Sequence, residues 1–456
     1  MSFRGGKLRK WCDLVLRTLS RRPRTQKWIL LLPFIGLLIV PFIYWTTLFS
    51  KSLPNPINFL PELQRLERAI KERERYEADL QHQLIEERLL SVYKPPSRVY
   101  LPVLLIACNR IEVKRTLDAL LRFRNATVHR FLSNIPPTQS EFPITISHGC
   151  EHPATAKLLN NYADEVSIIH FKDSTTTPKT NLTKHQLPYR SVAHHYKYAL
   201  DYIFLQQNHS ALIVVEDDLD IAPDFFDYFA ATLPLLQSDP SLFCASAWND
   251  NGRPQLIDTR RNDLIYRSDF FSGLGWMLLR DFWLEIRDNW PDVFWDEYIR
   301  QPFVRQNRAC LRPEIGRTVT FGRSGISHGQ FFDRYMKTMV LNSVNYPFLQ
   351  ADLSYLLADE YIPWWLQRVY NDSIEIRIND LLADRLPQPE LVTHLRVTYR
   401  STKQFVQLAK FLNLMSDIKS GVMRNAFLGV VPVTWKRHTL YVAPPRGWHS
   451  YELTTK

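Results

Sequence analysis

Glycine is scarce in this chain, 14 residues in 456. No strand-to-helix turn gathers glycines into a loop that could cradle a phosphate. That shortage counts against the Walker and dinucleotide-binding fingerprints, both of which need several glycines at such a turn. Cysteine is scarce as well, and none of the five has a neighbour at close zinc-ligand spacing, so a zinc site ranks well below disulfides. Acidic residues are nearly missing from the first 27 positions, where nine lysines and arginines face only Asp13. That segment holds +8 of the net charge of +11, and the nearly neutral remainder argues against a nucleic-acid partner. Apolar residues at 45% and charged residues at 23% exclude a disordered chain.

Charge is missing altogether from Trp28 to Phe49. The run is long enough to cross a hydrocarbon core as a helix, with Trp28, Tyr44 and Trp45 near its ends, where aromatic rings favour the interface. It is too long for a cleaved signal peptide, and no small-residue cleavage site follows it. The basic segment before it predicts a cytosolic tail over 1–27, a membrane signal-anchor over 28–49 and everything later on the far side, a type II topology. Cys12 then falls on the reducing side. Cys108, Cys150, Cys244 and Cys310 fall in an oxidising compartment, where two disulfides can form in any of three pairings. Asn125, Asn181, Asn208 and Asn371 head acceptor sequons for N-glycosylation.

Residues 50–98 read as a stalk. Leu63, Leu66, Ile70, Leu80 and Leu84 follow a heptad broken at Arg73 and Glu77, which fits a lone solvated helix as well as a short coiled coil and leaves weak self-association through the stalk open. Pro95 and Pro96 end it. From Val103 the pattern alternates in the α/β manner. Strands are expected at Val103–Ala107, 142–146, 165–170 and 211–215, with helices at 111–123, 154–162 and 191–207, giving a twisted, mostly parallel sheet. Residues 125–139, with Pro136 and Pro137, read as a surface loop. Over 348–445 strands at 374–378 and 392–399 and a helix at 405–415 suggest a smaller α+β domain, followed by a tail over 446–456.

Four aliphatics of the strand at 211–215 run straight into Glu216, Asp217 and Asp218. In open α/β sheets ligands bind at the carboxyl ends of strands. Adjacent carboxylates there are costly without a cation, and hard divalent ions take oxygen ligands completed by substrate phosphates. A solvated acidic turn before a helix is the plainer alternative.

Longer runs carry a specific likeness. Val214-Val-Glu-Asp-Asp-Leu, Ser246-Ala-Trp-Asn-Asp-Asn-Gly, Asp269-Phe-Phe-Ser-Gly-Leu-Gly-Trp, Phe294-Trp-Asp, Arg308-Ala-Cys-Leu-Arg-Pro-Glu-Ile and Thr320-Phe-Gly-Arg-Ser-Gly-Ile-Ser-His-Gly-Gln resemble the N-acetylglucosaminyltransferase I family, from about residue 100 to 445. The resemblance implies a GT-A-like nucleotide-sugar-binding domain over 99–347 and inverting transfer of GlcNAc from UDP-GlcNAc. The bond formed would be β-1,2, to the α-1,3-linked mannose of a high-mannose N-glycan, the step that initiates complex and hybrid glycans in the Golgi membrane. A β-1,2-transferase acting on O-linked mannose shares much of the domain. A membrane-anchored glycan-binding protein that has lost catalysis is the non-enzymatic alternative.

By the same resemblance Asp218 contacts Mn²⁺, Asp217 holds the ribose and Glu216 lies near the donor sugar. Arg110, His195 (rather than His194) and Ser327 bind the donor, and Asp296 is the catalytic base, with Glu297 its rival. Phe294 and Trp295 are expected to desolvate Asp296 in part. Gly273-Leu-Gly-Trp resembles a turn lining the sugar pocket. Cys108 is expected to pair with Cys150, and Cys244 with Cys310. One position departs: the family's uracil-contacting aspartate is replaced by Gly149, for which His148 or a backbone carbonyl is the expected substitute.

Overall fold

The continuous apolar runs at 103–107 and 211–215 become strands with both faces covered. β1 (Val103–Ala107), β2 (Ile144–His148), β3 (Ser167–His170) and β4 (Ala211–Glu216) pair in parallel in the order β3-β2-β1-β4. Every residue of β1 is buried, as a strand covered on both sides requires. The sheet continues through β6 (Leu242–Ser246), β7 (Ile265–Ser268), β8 (Trp276–Leu279) and β9 (Ala309–Pro313) to the order β3-β2-β1-β4-β8-β6-β9-β7. Pairing is antiparallel at β4–β8, β8–β6 and β9–β7. β8 and β7 therefore run against the other six strands, so the sheet is mixed, with most strands pointing one way. This computed structural model describes residues 64–73, 75–76, 99–131, 141–173, 182–326, 329 and 331–448.

Two features lie apart from the sheet and matter to the site. β5 (Leu219–Ile221) and β10 (Thr318–Thr320) form an antiparallel ribbon that pairs Leu219 with Thr320. A four-stranded sheet, β11 (Ile374–Ile376), β12 (His394–Thr398), β16 (His438–Ala443) and β15 (Val431–Trp435) in that order, joins a small hairpin of β13 (Ile418–Lys419) and β14 (Val422–Met423). The helix Ala358–Tyr370 buries Tyr361 and Trp365 in the same apolar cluster as β1 and β4. Phe270 and Leu256 in turn pack with the four-stranded sheet.

The helix Val113–Phe131 runs well past Phe123 into the stretch expected to be a loop, because nothing between Asn125 and Phe131 breaks a helix before Pro136. Residues 132–140 lie outside the described residues, as do the apolar run 28–49 and the tail 1–27. Among the described residues no helix is long and apolar enough to cross a membrane. In the stalk, residues 64–73 and 75–76 are helical and exposed, Leu66 and Ile70 included.

Candidate active site

The acidic turn sits where the strand pattern puts it, at the carboxyl end of β4, which is flanked by β1 and β8. A cavity of about 380 Å³ opens there, lined by Glu216, Asp217 and Asp218 on one side and by Phe294, Trp295 and Asp296 on the other. Asp217 is gripped twice: the Cys108 backbone N–H donates to Oδ2 at 3.0 Å, and Arg110 Nε donates to Oδ1 at 3.1 Å. A second nitrogen of Arg110 stands 3.3 Å from Asp218 and 2.9 Å from the Ser324 carbonyl. One guanidinium thus joins the acid turn to the loop after β10. The ribbon reinforces that joint, since the Phe321 N–H donates to the Asp218 carbonyl at 2.9 Å.

The three carboxylates of the turn have Arg110 as the cation against them. Burial pushes Glu216 up to about 8, with the Asp218 charge next in effect, although a 2.5 Å hydrogen bond from the Tyr196 hydroxyl favours its charged form. Asp218 is pushed up to about 6, by burial first and by Asp217 second. Burial also raises Asp217, against the pull of Cys108 and Arg110. Such a cluster has spare negative charge for a cation to neutralise. A glycine clears the space: a Cβ on Gly322 would lie 1.9 Å from Asp218 Oδ2. Among the described residues no three His, Cys, Asp or Glu side chains converge as ligands. The space kept open beside Asp218 suits an ion held by that carboxylate and completed by a ligand's phosphates, the habit of hard divalent cations.

His195 lines the same cavity from the helix Gln186–Asp201. Its ring stacks on Phe171, centroids 4.8 Å apart and planes 7° from parallel, and Nε2 lies 2.8 Å from the Ser147 hydroxyl. Burial, then the neighbouring His148, pushes it down to about 4. A Cβ on Gly149 would approach its Nδ1 to 2.9 Å. The glycine at this position is therefore what lets His195 lie flat against the backbone. His148 is buried outside the cavity lining, with Nε2 3.1 Å from the Cys108 carbonyl. His194 faces away, between Asp292 and Asp173.

Asp296 opens the short helix Trp295–Ile299, whose preceding residue Phe294 is held at φ 54°, a conformation rare for a bulky side chain. Asp296 itself is only partly covered. Trp295 turns inward to stack on Tyr196 at 4.1 Å, while the Asp296 side chain stays 39% exposed and pairs with Arg300 at 2.6 Å. Glu297 is drawn off by Lys419 at 2.8 Å and takes no part in the cavity lining. Gly273 and Leu274 line the cavity, whereas Trp276 is fully buried beneath it. The structure pairs Cys108 with Cys150 and Cys244 with Cys310. Ser327 lies outside the described residues, although Ser324, Gly325 and Ile326 before it line the cavity.

Several contributors escaped the sequence reading. Tyr196 and Phe171 matter through contacts 20 and 24 positions distant in sequence, with no local signal. Arg300 had one, the i,i+4 spacing from Asp296 that puts two charges on one helix face.

An acid-tipped strand facing a second carboxylate across a cavity is an arrangement that a metal-assisted group transfer can use. The GNT-I family model matches residues 59–455. The alpha-1,3-mannosyl-glycoprotein 2-beta-N-acetylglucosaminyltransferase of Arabidopsis thaliana is 34% identical over 332 residues, 72% of this chain and 70% of that protein. The chain belongs to the GNT-I family. Among solved structures, the mannosyltransferase PcManGT from Pyrobaculum calidifontis in complex with GDP-Man and Mn2+ aligns at TM-score 0.27 and 13% identity, over 46% of this chain and 55% of that one. S. aureus TarS 1-349 in complex with UDP-GlcNAc aligns at TM-score 0.30 and 12% identity, over 49% and 60%. Similarities of that order add no support to the role of any residue.

Proposed function

We propose that this enzyme transfers N-acetylglucosamine from UDP-N-acetylglucosamine to the α-1,3-linked mannose of the N-glycan core, in β-1,2 linkage and with inversion. The observation that carries the mechanism is the placing of Asp218 and Asp296 in the lining of one cavity. Inversion in a single displacement needs a carboxylate to take the acceptor's proton, and Asp296 is open enough for a sugar hydroxyl to reach. Asp217 and Arg110 hold each other, so the turn that meets the donor is rigid before the donor arrives. His195, packed on Phe171 and neutral at pH 7, gives the cavity an uncharged lining residue within reach of a base. Asp218 is the residue that would hold Mn²⁺, whose charge stabilises the departing diphosphate when bound.

The glycan-binding alternative drew on Gly149, but that glycine accommodates His195 and is no mark of decay. The uncharged run 28–49 and the basic segment before it support a single-pass anchor in the Golgi membrane with this domain on the lumenal side. Release of UDP from UDP-GlcNAc with a mannose-terminated acceptor tests the function. Activity should vanish in EDTA and return with Mn²⁺; full turnover in chelator would remove the metal from the reading, and no turnover in any condition would remove the enzyme.

A further inference from the structure

Asp296 is not alone on its helix. One turn later Arg300 sends Nη1 to Asp296 Oδ2 at 2.6 Å, and the same nitrogen lies 3.3 Å from Glu297 Oε1. The guanidinium is fixed from behind. Its Nε donates to the Phe271 carbonyl at 2.9 Å, it lies 4.9 Å over the Phe270 ring, and its side chain is only 7% exposed. Glu297 is held by Lys419 Nζ of the β13–β14 hairpin, and Gln301 Nε2 donates to Ser420 Oγ in the same hairpin at 3.0 Å. An exposed ion pair one turn apart contributes little. This pair differs in that its cation is buried and aimed by a backbone carbonyl. The helix is five residues long, too short to set a side chain's direction unaided, so tertiary partners must do it.

We infer that Arg300 is a positioning residue for Asp296. It ties down Oδ2 and leaves Oδ1 to receive the acceptor's proton, while Lys419 occupies Glu297 and limits its competition for the same nitrogen. The inference rests on Asp296 being the base. In that step the acceptor hydroxyl loses its proton to Asp296, and its oxygen pair forms the bond to the sugar's anomeric carbon. The bond from that carbon to the diphosphate oxygen breaks, its pair leaving with UDP. Among the described residues, Glu297 on the same helix, Glu216 and Asp218 at the end of β4 and Tyr196 on the helix Gln186–Asp201 are titratable neighbours of Asp296. Arg300 is the cation in direct contact.

The test is steady-state kinetics of the full chain, paired with UDP-GlcNAc binding. Arg300→Met should lower kcat by about 10²-fold, the scale of a misplaced catalytic group, with donor affinity within about twofold of wild type. Arg300→Lys should recover part of the rate, having the charge without the planar fork. If Arg300→Met fails to bind donor, Arg300→Lys decides: donor affinity within about twofold of wild type with a lowered kcat is expected. Wild-type kcat in Arg300→Met, or in Arg300→Lys where that variant decides, overturns the inference when Asp296→Asn is inactive. A fully active Asp296→Asn overturns the base assignment itself, and this inference with it.

Discussion

His195 occupies the space into which a side chain at Gly149 would grow. A Cβ there would lie 2.9 Å from Nδ1 and 3.0 Å from Cε1, closer than real side chains tolerate. The ring cannot retreat freely, since Phe171 covers one face and Ser147 holds Nε2. Gly149→Ala should therefore tilt His195 and weaken UDP binding by roughly tenfold, about 1.4 kcal/mol. Calorimetric titration with UDP would show it. Affinity equal to wild type would mean that His195 does not contact the nucleotide.

Glu216 ties stability to pH. Its folded-state value of about 8 lies above the ordinary 4.5, so between those limits the folded chain binds the proton more tightly than the unfolded one. The sign follows: stability from this group is fullest below about pH 4.5 and is lost as pH rises through 8. In EDTA, Glu216→Gln should melt above wild type at pH 8 and level with it at pH 4. Added divalent metal should narrow the gap by stabilising the charged cluster. A gap that is largest at pH 4 would contradict the burial of this carboxyl.

The two disulfides should differ in what their loss reports. Cys244–Cys310 joins paired positions of β6 and β9, away from the cavity lining. Replacing both by alanine should cost roughly 2–5 kcal/mol in denaturant unfolding, with donor affinity retained. Cys108 and Cys150 line the cavity, and the Cys108 N–H holds Asp217. Breaking that bridge should cost similar stability and also weaken UDP binding. Equal donor affinity in both double variants would disconnect the first bridge from the site.

Much of this was readable one residue at a time. Strand burial at 103–107 and 211–215 follows from unbroken aliphatic runs, and the strand end fixes where Glu216, Asp217 and Asp218 project. Helix length at 113–131 was underestimated because a sequon and distant prolines resemble a loop, although no breaker occurs until Pro136. The ion pair of Asp296 was missed because its partner lies one helical turn later, while Trp295 beside it turns to Tyr196. The bond from Lys419 to Glu297 spans more than a hundred residues, and no local pattern announces such a pairing.

The strand order also dictates a schedule for the chain as it is synthesised. β1, β2, β3 and β4 can pair among themselves once residue 216 has emerged, and the closure of Cys108 with Cys150 needs nothing beyond residue 150. β6 emerges next with neither of its neighbours, because β8 and β9 are still to come. Cys244 must wait for 66 more residues, roughly 3–13 s at ordinary elongation rates, before Cys310 appears. If the first pair has closed by then, Cys310 is the one partner left to Cys244 among the four cysteines beyond residue 100. Three conceivable pairings reduce to one through order of arrival, before the completed sheet can select among them.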